Sequence, residues 1–315
     1  MKILVFGSGG FVGKHLINYL NTQDNVLIAV DRSSHPLDEN FKFKNHLSKI
    51  ISGDISSKET LDLIENVVEV DYVYFLVANP KMTQLSNAIN ESLGLLNNVF
   101  DHLIQNKFKG TFCYFSSSAV YGEGLQNGQQ LKEDQILNPN SPYGLSKVMG
   151  ETLTKYKANT NNFRFQIVRP FNLIGPGQPA SFFISSLIQQ LVRIKLGLNE
   201  PVIKLGDLSA SRDFVDVRDL IKALQFLMKT GKSGETYNIS SGRSWILEEV
   251  TKKAVKLIVN QVQIHQQAFD ANPIKYQEGS CEKISNETNW KPEISLEKSL
   301  ADMMDYWLSY EGKNL

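Results

Sequence analysis

Short, almost unbroken apolar runs alternate along this chain with longer stretches of helical periodicity. The first run, Lys2–Phe6, stops at GSGGFVG, and behind it Phe11, Val12, Leu16, Ile17 and Leu20 recur at helical spacing. Further runs at Val26–Val30, Lys49–Ser52, Val70–Ala78, Thr111–Phe115 and Phe163–Val168 each predict a strand. Helical patterns cover about Leu85–Gln105 and Ser146–Tyr156. Strands that are apolar throughout, with helices between them, predict a parallel sheet covered on both faces. The expected class is α/β, a doubly wound parallel sheet.

The sixth run leads into RPFNLIGPGQ, whose two glycines and Pro176 take the chain off the sheet. An apolar helix at Phe182–Leu196 and a strand at Pro201–Leu205 follow. Alternation at Phe214, Val215 and Val217 enters a helix at Asp219–Lys229, and Glu235–Ile239 returns as a strand. The remainder, Trp245–Leu315, mixes helical and short extended segments. Its last helix carries the stripe Leu296, Leu300, Met303, Met304 and Trp307, a packing face. The expected division is 1–170 with 212–242 for the sheet domain and 171–211 with 243–315 for a smaller C-terminal lobe.

Composition narrows the partners. The 33 basic and 33 acidic side chains balance, so nothing in the net charge draws the chain to nucleic acid or to an acidic membrane. The apolar runs are too short and interrupted to span a bilayer. MKILVFGSGG runs straight into a glycine loop, which makes it a buried first strand and not a signal peptide. Cys113 and Cys281 are the only cysteines, and they suggest neither a disulfide framework nor a metal site. No cluster of His, Asp and Glu has metal-ligand spacing. A cytoplasmic globular protein is expected.

The chemistry gathers at SPYGLSK. Tyr143 and Lys147 stand four residues apart at a helix start, so they share one face. An ammonium beside a phenol is expected to lower the phenol's pKa, which suits a proton-transfer catalyst. Upstream, Ser116–Ser118 end the fifth strand, where ligands bind in open α/β sheets. Those serines either donate to a substrate oxygen or cap the strand. At the N-terminus, Gly7 suits a tight turn, Gly10 a close approach to a pyrophosphate, and Gly13 close helix packing. The helix that follows offers free N–H groups to phosphate. Asp31 ends the second strand, placed to accept from adenosine ribose hydroxyls and to repel a 2′-phosphate. NAD is therefore expected, although Arg32 next to it would suit NADP. Asp54, in Gly53-Asp54-Ile55, lies where an adenine amino group can be reached.

With GSGGFVG, Asp31, Asp54, SSSAVYG, SPYGLSK and RPFNLIGPGQ in this order, the whole chain resembles the extended short-chain dehydrogenase/reductase family. It is most similar there to the nucleotide-sugar epimerases, dehydratases and 4-keto-reductases. LGDLSASRDFVDVRDL, YNISSG and TNWKPEISLEKSL look most like the branch of GDP-6-deoxy-4-keto-mannose reductases and GDP-mannose dehydratases. The resemblance implies a Rossmann-type NAD(P)-binding domain and a substrate lobe. It makes Tyr143 the acid/base, Lys147 the holder of the nicotinamide ribose, and Ser117 the partner of the reacting oxygen. Gly7, Gly10, Phe11, Val12, Gly13, Asp31, Arg32, Asp54 and Ile55 would contact the cofactor. Ser118, Asn172 and Arg212 would contact the sugar nucleotide. A homodimer paired through Leu85–Gln105 and Ser146–Tyr156 is implied as well.

Four departures from the family pattern bear on the reaction. Ala119 stands where dehydratases carry an acid, which disfavours loss of water. Phe269–Ser280 lacks the arginine usual there, with Lys275 its nearest cation. Phe75-Leu76-Val77-Ala78 lacks a histidine at the end of the fourth strand, and Leu173 replaces another. The reaction expected is NAD(P)H-dependent reduction at C4 of a nucleotide-diphosphate 4-keto-6-deoxy sugar. An NAD-dependent 4-epimerase is the alternative, and a catalytically silent cofactor-binding regulator a more remote one.

Overall fold

Residues 1–32, 42–80, 84–123, 125, 128–259, 261–266 and 274–313 are described by the computed structural model. The first half runs β1 (Lys2–Phe6), α1 (Phe11–Asn21), β2 (Val26–Asp31), β3 (Lys49–Ser52), α2 (Lys58–Asp62) and β4 (Tyr72–Phe75). It continues with α3 (Leu85–Asn87), α4 (Gly94–Gln105), β5 (Thr111–Phe115), α5 (Pro142–Asn161) and β6 (Arg164–Pro170). Then come β7 (Asn172–Ile174), α6 (Phe183–Lys195), β8 (Val202–Leu205), β9 (Ser211–Asp216), α7 (Val217–Thr230) and β10 (Thr236–Ile239). The last elements are β11 (Ser244–Ile246), α8 (Leu247–Ile258), β12 (Gln263–Gln266), β13 (Tyr276–Gln277), α9 (Glu282–Thr288) and α10 (Leu296–Gly312).

Seven strands form the central sheet in the order β10-β6-β5-β4-β1-β2-β3, every neighbouring pair parallel. The two-residue period of a strand sends alternate side chains to opposite faces. Ile3, Val5, Leu27 and Ala29 enter one core, while Leu4, Phe6, Ile28 and Val30 enter the other. This sheet is the Rossmann-type α/β arrangement. Its strand order reverses at β1, and in such sheets ligands bind at the carboxyl ends of the strands around that reversal.

A second body of structure packs on those carboxyl ends. β9 pairs antiparallel with β11 on one side, and parallel with β7 and β13 on the other. β8 and β12 form a separate pair. Helices α6, α8 and α10 enclose a core of their own, with Leu187, Leu191, Val250, Leu300 and Met303 among its buried members. The stripe on the last helix is packing, as its spacing implies.

Three elements differ from the pattern along the chain. β4 covers only Tyr72–Phe75, because its partner β1 ends where Gly7 turns at φ 81°. The helix before β5 is not uniform: Ala88–Leu93 is π-helical between α3 and α4. Helix α5 begins at Pro142, within SPYGLSK as expected, but runs past Tyr156 to Asn161. Ser141 caps it by accepting from Gly144 N–H at 3.0 Å, and Pro142 follows at the first turn.

Trp290 ties the chain after α9 to α7. It is 1% exposed, and its indole N–H donates to the Asp219 carbonyl at 3.0 Å. Trp290→Ala removes a large buried ring and should destabilise the fold by about 3–5 kcal/mol. Urea unfolding checks this, and a loss under about 1 kcal/mol would show that the site collapses around the gap.

Candidate active site

Glycines shape the turn between β1 and α1. A Cβ on Gly13 would lie 2.2 Å from the Gly7 carbonyl, so only glycine lets α1 sit this close to the loop. A Cβ on Gly10 would meet nothing nearer than that same carbonyl at 3.4 Å, leaving this side open. Gly10 caps α1 without a side-chain bond, and the first turn holds no acid. The free N–H groups there suit a pyrophosphate. Phe11 and Val12 are half-buried, Phe11 lying edge-on to His15 and Val12 against the core. Asp31 accepts from Gly9 N–H at 2.8 Å, which binds the end of β2 to the loop. Arg32 and Asp54 are exposed, and Ile55 is buried in the core. Bonds from Ser56 hold the Asp54 carboxyl below its ordinary range, so it is a ready acceptor.

Beyond β5, Ser116, Ser117 and Ser118 take three separate tasks. Ser116 donates to Glu151 at 2.6 Å. Ser117 caps the short 3₁₀ turn Ser118–Tyr121, its oxygen accepting from Ala119 N–H at 3.1 Å. Its hydroxyl also lies near enough to the Tyr143 phenol to favour the ionised form. Ser118 donates to Gln277 at 3.3 Å. Of the two readings of the serines, the capping one is seen at Ser117, on the turn that follows the strand.

Helix α5 brings Tyr143, Lys147 and Glu151 onto one face at four-residue steps. Lys147 is 3% exposed, and its ammonium donates to the Phe115 carbonyl at 2.7 Å. That nitrogen lies 5.2 Å from the centre of the Tyr114 ring and 5.8 Å from the centre of the Tyr143 ring. Burial pulls the Lys147 pKa down to about 7, against the charge of Glu151, which raises it. Tyr143 departs from the expected lowering. Burial raises its pKa, and the nearby Ser117 hydroxyl only partly opposes this. Lys147 does not reverse the balance, because its own charge is desolvated and committed to Phe115.

A model of the NAD dependent epimerase/dehydratase family matches residues 3–240. The chain belongs to that family. GDP-6-deoxy-D-mannose reductase of Pseudomonas aeruginosa is 32% identical over 310 residues, covering 98% of this chain and 97% of that protein. The structure of RMD from Pseudomonas aeruginosa complexed with NADPH superimposes with a TM-score of 0.82 at 31% identity, covering 98% and 99%. UDP-glucuronic acid 4-epimerase of Bacillus cereus, in complex with NAD, has a TM-score of 0.85 at 24% identity over 98% and 100%, and shares the fold. This protein is an NAD(P)-dependent enzyme of the family, and the open glycine turn with the uncapped α1 fits that cofactor.

On the lobe side, Asn172 donates to the Asp213 carbonyl at 3.0 Å and to Gln277 at 3.3 Å. Arg212 is 7% exposed and donates to its neighbour's carbonyl, Ser211, at 2.8 Å. Among the described residues no carboxylate pairs with it, and burial lowers its pKa. Asp207 acts on it only from beyond bonding reach, so the buried guanidinium keeps N–H groups to offer an anion. Of the stretch Phe269–Ser280, residues 269–273 lie outside the described residues, and Lys275 is exposed.

Two groups escape a reading of the sequence. Gln277 touches both Ser118 and Asn172, yet no motif marks it. Glu151 continues the four-residue step from Tyr143 and Lys147, and that spacing is the available signal. It makes a bidentate pair with Arg169, at 2.9 Å from Nε and 2.8 Å from Nη2, both side chains buried. Arg169 is structural, as its strand-end place suggests.

The Lys147 value sets a pH test. Its folded pKa of about 7 lies below the ordinary 10.5, so between those values the unfolded chain holds a proton that the folded chain lacks. The stability penalty of Lys147 is full below about 7 and fades as pH rises toward 10.5. The stability of Lys147→Met relative to wild type should therefore fall steadily over that window in urea unfolding. A difference that stays flat with pH would mean an ordinary lysine.

Proposed function

We propose that this protein reduces the C4 keto group of a nucleotide-diphosphate 4-keto-6-deoxy sugar with NAD(P)H, Tyr143 giving the proton. The observation that carries the reading is Tyr143 beside Lys147 at the end of β5, the ammonium held on the Phe115 carbonyl at 2.7 Å and lying 5.8 Å from the centre of the Tyr143 ring. A tyrosine phenol carries its proton at neutral pH and can give it to a keto oxygen, which a reductase needs at the outset. Similarity to a reductase along nearly the full chain supports the same direction.

The reduced nicotinamide supplies the hydride. Ser117 holds the keto oxygen against the Tyr143 phenol, and its hydroxyl donates as negative charge develops. Lys147, anchored on Phe115, reaches the nicotinamide ribose and steadies the tyrosinate left after proton transfer. Gly7, Gly10, Phe11, Val12 and Gly13 cradle the pyrophosphate, Asp31 and Arg32 face the adenosine ribose, and Asp54 with Ile55 takes the adenine. Asp31 favours NADH, while Arg32 leaves NADPH usable. Ser118 and Asn172 meet the sugar nucleotide, and Arg212 pairs with its diphosphate. On this reading 1–170 with 212–242 bind the cofactor, and 171–211 with 243–315 bind the sugar nucleotide. A cytoplasmic homodimer paired through the helices at 85–105 and 146–156 completes the proposal.

A 4-epimerase is the second reading, because Ser117, Tyr143 and Lys147 serve hydride transfer in both directions. It starts by taking a proton from a hydroxyl, and the 32% identity to a reductase over nearly the full chain favours the first reading instead.

The test mixes the protein with NADH or NADPH and 4-keto-6-deoxy sugars on GDP, dTDP and CDP, following loss of reduced-nicotinamide absorbance. One sugar nucleotide should consume cofactor stoichiometrically, faster with NADH. Silence across the panel, with NAD released on denaturing the protein, would hand the function to the epimerase. Tyr143→Phe should lower kcat roughly 10²–10⁴-fold and leave NADH affinity within about twofold. If that variant kept its full activity in vivo, a catalytically silent regulator would be the better description.

A further inference from the structure

Ser118 and Asn172 come from different parts of the chain, and Gln277 of β13 joins them. It is 3% exposed, stands beside Arg212 in the β9–β13 pairing, and bonds to both residues. Its backbone is held two residues on, where Gly279 N–H donates to the Asp213 carboxylate at 3.1 Å. The clamp is fixed at both ends.

Two backbone carbonyls, which can only accept, decide the direction of every bond in it. The Asp213 carbonyl accepts from Asn172 Nδ2 at 3.0 Å, so that nitrogen is the group that also donates to Gln277 Oε1 at 3.3 Å. The Ser118 carbonyl accepts from Gln277 Nε2 at 3.3 Å. Gln277 turned the other way would set nitrogen against nitrogen at Asn172 and oxygen against oxygen at Ser118. The remaining contact, Ser118 Oγ to Gln277 Oε1 at 3.3 Å, ends on an acceptor, so the serine's only proton points to Gln277. Ser118 keeps only lone pairs for a ligand, and Asn172 keeps Oδ1, also an acceptor.

We infer that Gln277 is a positioning residue that makes Ser118 and Asn172 hydrogen-bond acceptors toward the sugar. The cleft then selects a sugar with free hydroxyl groups at the ring positions facing them. It rejects one whose oxygen there is methylated or acylated, or is replaced by another acceptor-only group. This rests on the reading of the cleft as a nucleotide-sugar site. An acceptor facing two acceptors is left unpaired, and the loss of a single matched hydroxyl is a strong discriminator.

Calorimetry on the NADH-saturated full-length protein tests it, with GDP-mannose, UDP-glucose, dTDP-glucose and CDP-glucose as parents and their 2-fluoro and 3-fluoro derivatives as probes. Fluorine keeps the size and the acceptor while removing the O–H. For whichever parent binds, fluorination at one position or both should weaken binding about tenfold or more. Gln277→Met keeps the side-chain length and deletes both amide groups, freeing the Ser118 proton to turn toward the ligand. In that variant the fluorine penalty should shrink to about threefold or less, with NADH affinity unchanged. Should Gln277→Met not fold, Ser118→Ala takes its place, weakening the parent and leaving the fluorinated probe as it was. If the wild type binds a parent and its fluorinated forms within about threefold, the inference is wrong and the nucleotide-sugar reading stands. The inference is equally wrong if Gln277→Met folds and keeps the full penalty. If none of the four parents binds, the nucleotide-sugar reading fails and the inference falls with it.

Discussion

Lys147 and Glu151 stand one turn apart on α5, and both charges are buried against the central sheet. A buried charge is tolerated only when its bonds are complete. Lys147 depends on the Phe115 carbonyl at the end of β5. Glu151 depends on the forked guanidinium of Arg169 from β6 and on Ser116, the next residue after β5. Helix, strand end and neighbouring strand are therefore locked together, and a shift in any one would strand a charge. Tyr143 and Ser117 ride on two of the three pieces. Their meeting follows from the ion pair beneath them.

The same network reaches the edge of the sheet. Arg169 Nη1 donates to the Tyr121 hydroxyl at 2.9 Å, and Tyr121 donates to Asn238 of β10 at 2.6 Å. Glu133 accepts from the Asn238 backbone N–H at 2.8 Å, covering a donor that an edge strand would leave open. On the other side of the cleft Asp213 plays the corresponding part. Fully buried, it accepts from Ser241, Gly242 and Gly279, with burial lifting its pKa to about 6, and its carbonyl takes Asn172. Ser118 and Gln277 connect the two systems. The cofactor helix joins them through His15, whose Nε2 donates to the Pro176 carbonyl at 2.9 Å. A cleft assembled from such bonds holds its donors and acceptors in set directions, which is what selective binding requires.

Much of the site is legible in the chain because its signals are local. Gly7 and Gly13 declare a turn and a close approach, and the φ of 81° and the 2.2 Å clearance bear this out. Tyr143 and Lys147 share a face because a helix repeats near four residues. The serine run can be placed at a strand end, but not divided among its three partners, since those lie on α5, on the 3₁₀ turn and on β13. The direction of the Tyr143 pKa runs against the expectation for a related reason. Spacing reports which groups are neighbours along a helix, while desolvation depends on everything else that covers them.

By itself, the sequence determined the strands and helices of the central sheet, the glycine turn, the shared face of Tyr143 and Lys147, and the family. Each of these depends on periodicity or on the backbone needs of a few adjacent residues, and those are carried in the chain's own spacing. Only the tertiary structure decided that Glu151 and Arg169 underlie the pair, that burial raises the Tyr143 pKa, and that Gln277 sets the polarity of Ser118 and Asn172. Those outcomes rest on contacts between residues of different elements, or on burial by several elements at once. No local pattern encodes either, because the free energy of a buried polar group is fixed by its whole surroundings.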